Sequence, residues 1–133
     1  MVAVDTVTLT LPRGAGYLAL LHLVLGGIAL RKDLSFDDLD DVQLAVDSIL
    51  AEDPGRVGDV EMKVSLEEEG LRIRLAAFSN QSMKASLGGS SRSPAPEPQH
   101  LDMGVLLESL CDSFVVEDLR GDCYAIELWK RTG

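Results

Sequence analysis

The sequence is poor in positive charge: 12 Lys and Arg residues stand against 22 Asp and Glu, leaving a net charge of −10. That balance argues against a nucleic-acid partner, because binding a phosphate backbone needs a basic face that releases counterions. A protein with a basic face would instead be steered towards the chain. Cysteine is also scarce. Cys111 and Cys123 have no CxxC spacing and no nearby histidine pair. A disulfide between them stays open as an alternative, but two reduced, half-buried thiols are expected, since no export signal is read. Long hydrophobic runs are missing as well. Ala15–Leu30 is almost wholly apolar, yet it is shorter than the ~20 residues a spanning helix needs and carries His22 and Gly26-Gly27. The residues before it read as a strand containing Asp5, not as a basic leader. A buried helix in a cytoplasmic protein without a membrane partner is the expectation. There is no phosphate loop of the Walker type and no serine or cysteine nucleophile with a recognisable base.

What is present is ordinary globular composition, 46% hydrophobic and 26% charged. The 133 residues suit a single domain spanning 1–133. A chain of this size buries roughly two-thirds of the surface it exposes when unfolded. Val7, Leu9 and Leu11 alternate with Thr6, Thr8 and Thr10, the periodicity of a strand with one buried face. Ala15 to about Leu30 follows as the most buried helix, with Arg31-Lys32 suiting its C-terminus. Ser35 is an N-cap for the next helix, and Asp38 three places on imitates a capping box. Leu39, Val42, Val46 and Ile49 form its apolar stripe, and Asp53-Pro54-Gly55 stops it.

Val60, Met62, Val64 and Leu66, then Leu71, Ile73 and Leu75, make two alternating strands around Glu67-Glu68-Glu69-Gly70, an antiparallel hairpin. Its acidic residues and Arg72 and Arg74 are placed to pair across strands. Residues 79–101 hold Gly88-Gly89, Pro94, Pro96, Pro98 and many serines, and read as a flexible, lid-like loop inside the domain. A helix from Asp102 to about Asp112, a strand at Phe114–Val116, a turn at Arg120-Gly121-Asp122 and a strand through Tyr124, Ile126 and Leu128 complete the chain. The order β-α-α-β-β-loop-α-β-β predicts an α+β two-layer sandwich, a mixed and mostly antiparallel sheet with helices on one face.

That order, with a long loop before the third helix, resembles the ATP-binding domain of the anti-sigma-factor serine kinases. They are a branch of the GHKL, or histidine kinase-like, ATPases that regulates stress and sporulation sigma factors in bacteria. Asp40-Asp41-Val42-Gln43-Leu44-Ala45-Val46 looks like the opening of the family's second helix. Leu106-Leu107-Glu108-Ser109-Leu110-Cys111-Asp112 and Phe114-Val115-Val116 look like its C-terminal portion. These are scaffold patterns and carry no chemistry.

The resemblance places the family's chemistry in three boxes, and each departs here. The second helix should carry a glutamate and, four residues later, a magnesium-holding asparagine. Those positions fall on Ser48 and Glu52, one helical turn apart on one face. An aspartate that bonds adenine, followed by Gly-x-Gly, should match Leu75-Ala76-Ala77-Phe78-Ser79-Asn80. Ala77 stands at the aspartate and offers no acceptor, no glycine follows, and Ser79 is counted with the pocket. A Gly-x-Gly at the loop-to-helix junction, where bare amides approach phosphate, reads Asp102-Met103-Gly104. Gly104 remains, while Asp102 puts an anion at the phosphate position.

The other candidates have plainer roles. Asp37–Asp41 offers oxygen ligands, but a metal needs them from several directions, so solvated first-turn carboxylates are expected. His22 is expected in or near the core, and His100 exposed in the loop. Asp102 is expected to N-cap its helix. The loop is a docking or phosphorylation segment, or a tolerated remnant of a lid. Trp129 is an interface anchor if it points outward and core if it lies under a helix.

The resulting expectation is a non-catalytic pseudo-ATPase that binds a protein, a sigma factor or an anti-sigma antagonist. It has no catalytic residues, metal or cofactor, and the resemblance implies a possible homodimer. One rival is a divergent kinase using ATP and magnesium shared by Glu52 and Asp102. Another is a small-ligand domain with an apolar cleft near Ala77, Phe78 and Gly104.

Overall fold

The computed structural model describes residues 5–12, 15–32, 34–52, 59–87 and 102–132. The elements are β1 (Asp5–Pro12), a short 3-10 turn (Ala15–Tyr17), α1 (Leu18–Lys32), α2 (Phe36–Ala51), β2 (Asp59–Glu67), β3 (Gly70–Phe78), α3 (Gln81–Leu87), α4 (Met103–Leu110), β4 (Ser113–Asp118) and β5 (Tyr124–Arg131). The five strands form one sheet in the order β1-β2-β3-β5-β4, and every pairing is antiparallel. It is an α+β fold, as the pattern of elements predicts.

Alternation decides the layers. Val60, Met62 and Val64 of β2, Leu71, Ile73 and Leu75 of β3, and Tyr124, Ile126 and Leu128 of β5 are all buried. They join Leu21, Leu25 and Ile28 of α1 and Val42, Ala45, Val46 and Ile49 of α2 in one core. Removing a side chain such as Ile49 would cost about 2–5 kcal/mol, because the surrounding helices cannot fully close the gap. On the outer face, Arg72 bonds Glu67 through Nε at 2.8 Å and reaches Glu127 at 3.3 Å. Arg74 reaches Glu117 of β4 at 3.1 Å. The predicted pairing of hairpin arginines with acidic residues is therefore present, and it extends over four strands. Trp129 lies on the outer face beneath the Arg72 guanidinium, 4.8 Å from its ring centroid, so it is not packed under a helix. Gly70 must be glycine: a Cβ there would meet the backbone carbonyl of Lys130 and, at 2.9 Å, the Trp129 ring.

The lid-like loop expected over 79–101 is corrected at its start, where Gln81–Leu87 forms α3. The prolines and paired glycines all fall later, and the composition of the whole stretch concealed a helical i, i+4 pair, Met83 and Leu87, both buried. The remainder of that loop, with His100, lies outside the described residues, as does the Asp53-Pro54-Gly55 stop. Ser35 caps α2 by accepting from the Asp38 N–H, as its sequence predicts. Among the described residues no helix is long and apolar enough to cross a membrane.

Candidate functional site

The six pocket positions inferred from sequence fall into two groups with α3 between them. Ser48 is half-buried on α2 and Glu52 is the exposed C-cap of that helix. Ala77 and Ser79 are half-buried where β3 ends, at a slip in its ladder with β5 between Leu75 and Phe78. Asn80 fastens these ends together. Its side-chain oxygen accepts from the N–H groups of Ser82 (2.9 Å) and Met83 (3.1 Å), capping α3, while its amide donates to the Glu52 carbonyl. The Asn80 carbonyl in turn accepts from the buried Tyr124 hydroxyl at 2.8 Å. Sequence reasoning missed Asn80, although an asparagine before a helical segment is an ordinary N-cap signal.

The second group is Asp102 and Gly104, at the start of α4, packed against the end of α3. Ser86 Oγ accepts from the Met103 N–H at 2.7 Å and donates to Asp102 Oδ1 at 3.2 Å. Asp102 Oδ1 accepts from the Val105 N–H at 3.2 Å, so the expected cap is present. A Cβ on Gly104 would lie 2.9 Å from the Ser86 carbonyl oxygen. Helix N-termini attract anions because their first amides lack partners. At α4 two of those amides are matched by side chains, and a carboxylate already holds the anionic position. Ser86 gave no signal in sequence, since it acts only through a packing partner 16 residues on.

Beside this junction lies a half-open cleft of about 460 Å³ between α3, α4 and β4. Leu87, Val105, Phe114 and Val116 give it apolar walls, and its charged lining residues are Asp102, Glu108 and Asp112. Ser48, Glu52, Ala77 and Ser79 line none of it.

Two polar clusters lie elsewhere. The Lys130 ammonium, whose side chain is 12% exposed, sits 3.3 Å from Asp41 and 3.7 Å from Asp38 and donates to the Leu110 carbonyl at 2.8 Å. Half of the acidic run thus serves a nearly buried lysine that joins α2, α4 and β5. His22 is partly buried, and Nε2 lies 2.8 and 3.0 Å from the carboxylate oxygens of Asp47 on α2. That partner is 25 positions away and invisible to local spacing. Cys111 and Cys123 are both free thiols. Burial pushes the Cys111 thiol up to about 11, with Lys130 opposing the shift. Among the described residues no three His, Cys, Asp or Glu side chains are grouped to hold a metal ion.

The chain matches no protein-family model. It is similar to the serine-protein kinase RsbW of Staphylococcus aureus. In strains bovine RF122 / ET3-1 and MRSA252 the identity is 21% over 140 residues, covering 97% of this chain and 82% of the relative. The likeness is distant but runs nearly end to end, and it agrees with the resemblance read from the sequence.

Proposed function

We propose that this chain is a regulatory, protein-binding domain of the anti-sigma type, folded as one domain, whose former nucleotide pocket no longer takes ATP. The similarity to RsbW over 97% of the chain supports the regulatory part. The observation that carries the second part is the α3–α4 junction. Ser86 and Asp102 satisfy the Met103 and Val105 amides, and the Ser86 carbonyl occupies the space a Cβ on Gly104 would need. A triphosphate arriving there would meet the Asp102 carboxylate and would have to displace α3. Adenine would find Ala77 where the resemblance places its acceptor.

The domain then acts by occlusion, covering a functional face of a sigma factor or of an anti-sigma antagonist, alone or as a homodimer. Calorimetric titration with ATP and ADP, with and without magnesium, tests the pocket, and no heat and no thermal stabilisation at millimolar nucleotide are expected. Magnesium-dependent binding that Glu52→Ala abolishes would move the kinase reading to first place. Transcription by an alternative sigma factor, reconstituted with increasing amounts of this protein, tests the regulatory role. Repression without ATP is expected, and unchanged transcription with no complex on gel filtration overturns it.

A further inference from the structure

We propose that the open edge of β4 and the cleft behind it form a docking groove for an extended, basic segment of a protein partner. Among the described residues β4 is a sheet edge whose ladder runs to β5 alone, so alternate residues turn backbone N–H and C=O groups outward. An added strand would satisfy those groups. Its alternate side chains would lie beside Phe114 and Val116, which are half-buried and line the cleft. Val105, 57% exposed, forms the opposite wall. The groove therefore offers an incomplete apolar layer together with an unfinished ladder.

Charge selects the occupant. Glu117 and Asp118 of β4 are matched by Arg74 at 3.1 Å and Lys84 at 2.6 Å. Among the described residues Glu108 and Asp112 have no ion-pair partner, and those that line the cleft include no lysine or arginine. The uncompensated negative charge thus gathers on the rim of the apolar trough. A strand whose groove-facing side chains are apolar at the centre and lysine or arginine at the ends fits it, whereas a second copy of a chain with net charge −10 brings the wrong sign. The cleft shares Asp102 and Gly104 with the pocket inferred from sequence, but docking on β4 is read without nucleotide and stands or falls separately from ATP binding.

The test is fluorescence-anisotropy titration of the full chain with an acetylated, amidated seven-residue peptide that carries lysine, valine, valine and lysine at its odd, groove-facing positions and threonine at its even ones. The control peptide carries glutamate for lysine. The lysine peptide is expected to saturate, and the glutamate peptide to bind at least about tenfold more weakly. Glu108→Lys and Val105→Ser, both at exposed positions of α4, should each weaken binding severalfold, and amide exchange in 113–118 should slow in the complex. Glu61→Lys, on the outer face of β2, should leave affinity unchanged. Equal weakening by Glu61→Lys would mean diffuse attraction to an acidic surface and would overturn the proposal. So would unaltered exchange in β4, or equal binding of both peptides.

Discussion

Replacing Ser86 by alanine should loosen the α3–α4 junction by an amount that the geometry bounds. Met103 is 1% exposed, so water cannot readily replace the Ser86 oxygen that its N–H reaches at 2.7 Å. Leaving a buried donor without a partner costs about 1–3 kcal/mol. Alanine is the better helix former and returns up to ~0.5 kcal/mol. The net expectation is a loss of about 1–2 kcal/mol, which lowers the melting temperature by roughly 3–8 °C in a domain of this size. Asp102→Ala removes the α4 cap at a cost of about 0.5–2 kcal/mol. Because Ser86 also donates to Asp102, the double variant should lose less than the sum of the singles, by at least ~0.5 kcal/mol. Urea unfolding followed by far-UV circular dichroism measures all four corners of the cycle. A Ser86→Ala change within ~0.5 kcal/mol of wild type, with strict additivity, would refute the closed junction.

Other consequences are as definite. Lys130→Ala strips Asp38, Asp41 and the Leu110 carbonyl of one shared donor and should cost about 1–3 kcal/mol in urea unfolding. Lys130→Met keeps the packed stem and should cost less. Cys111 titrates near 11 when folded against 9.0 as its reference, so its unfolded form ionises first. Its contribution is intact below pH 9 and falls by on the order of 1 kcal/mol per unit as pH rises towards 11. Wild type should therefore lose stability more steeply than Cys111→Ala over that window, and equal slopes would show the thiol to be solvated. Gly70→Ala drives a methyl into the Lys130 backbone and the Trp129 ring, and should cost about 1–3 kcal/mol with a shifted tryptophan emission maximum.

The sheet was legible because alternation in Val60–Leu66, Leu71–Leu75 and Tyr124–Leu128 is a local signal, as are the Ser35 and Asp102 caps. The pairing of β5 with β3, across some fifty residues, leaves no such trace. The same limit explains the site. Ala77 and Asp102 could be singled out one at a time, whereas the role of Ser86 exists only where α3 meets α4. α3 itself was overlooked because seven helical residues precede a run of proline and glycine that dominates the composition of the segment. His22 and Asp47, and Lys130 with its two aspartates, are likewise products of packing.

The position of β5 has a consequence for synthesis. β1, β2 and β3 form a meander of neighbours that can pair as soon as residue 78 leaves the ribosome. β4, made earlier than β5, has no strand to join until β5 arrives between it and β3. Tyr124, Ile126 and Leu128, which fill the middle of the core, are thus supplied by the last of the five strands to be made. Until then Ile73 and Leu75 have their β2 neighbours but lack Leu128 and Ile126 on the other side, so the nascent sheet is at its stickiest just before β5 emerges.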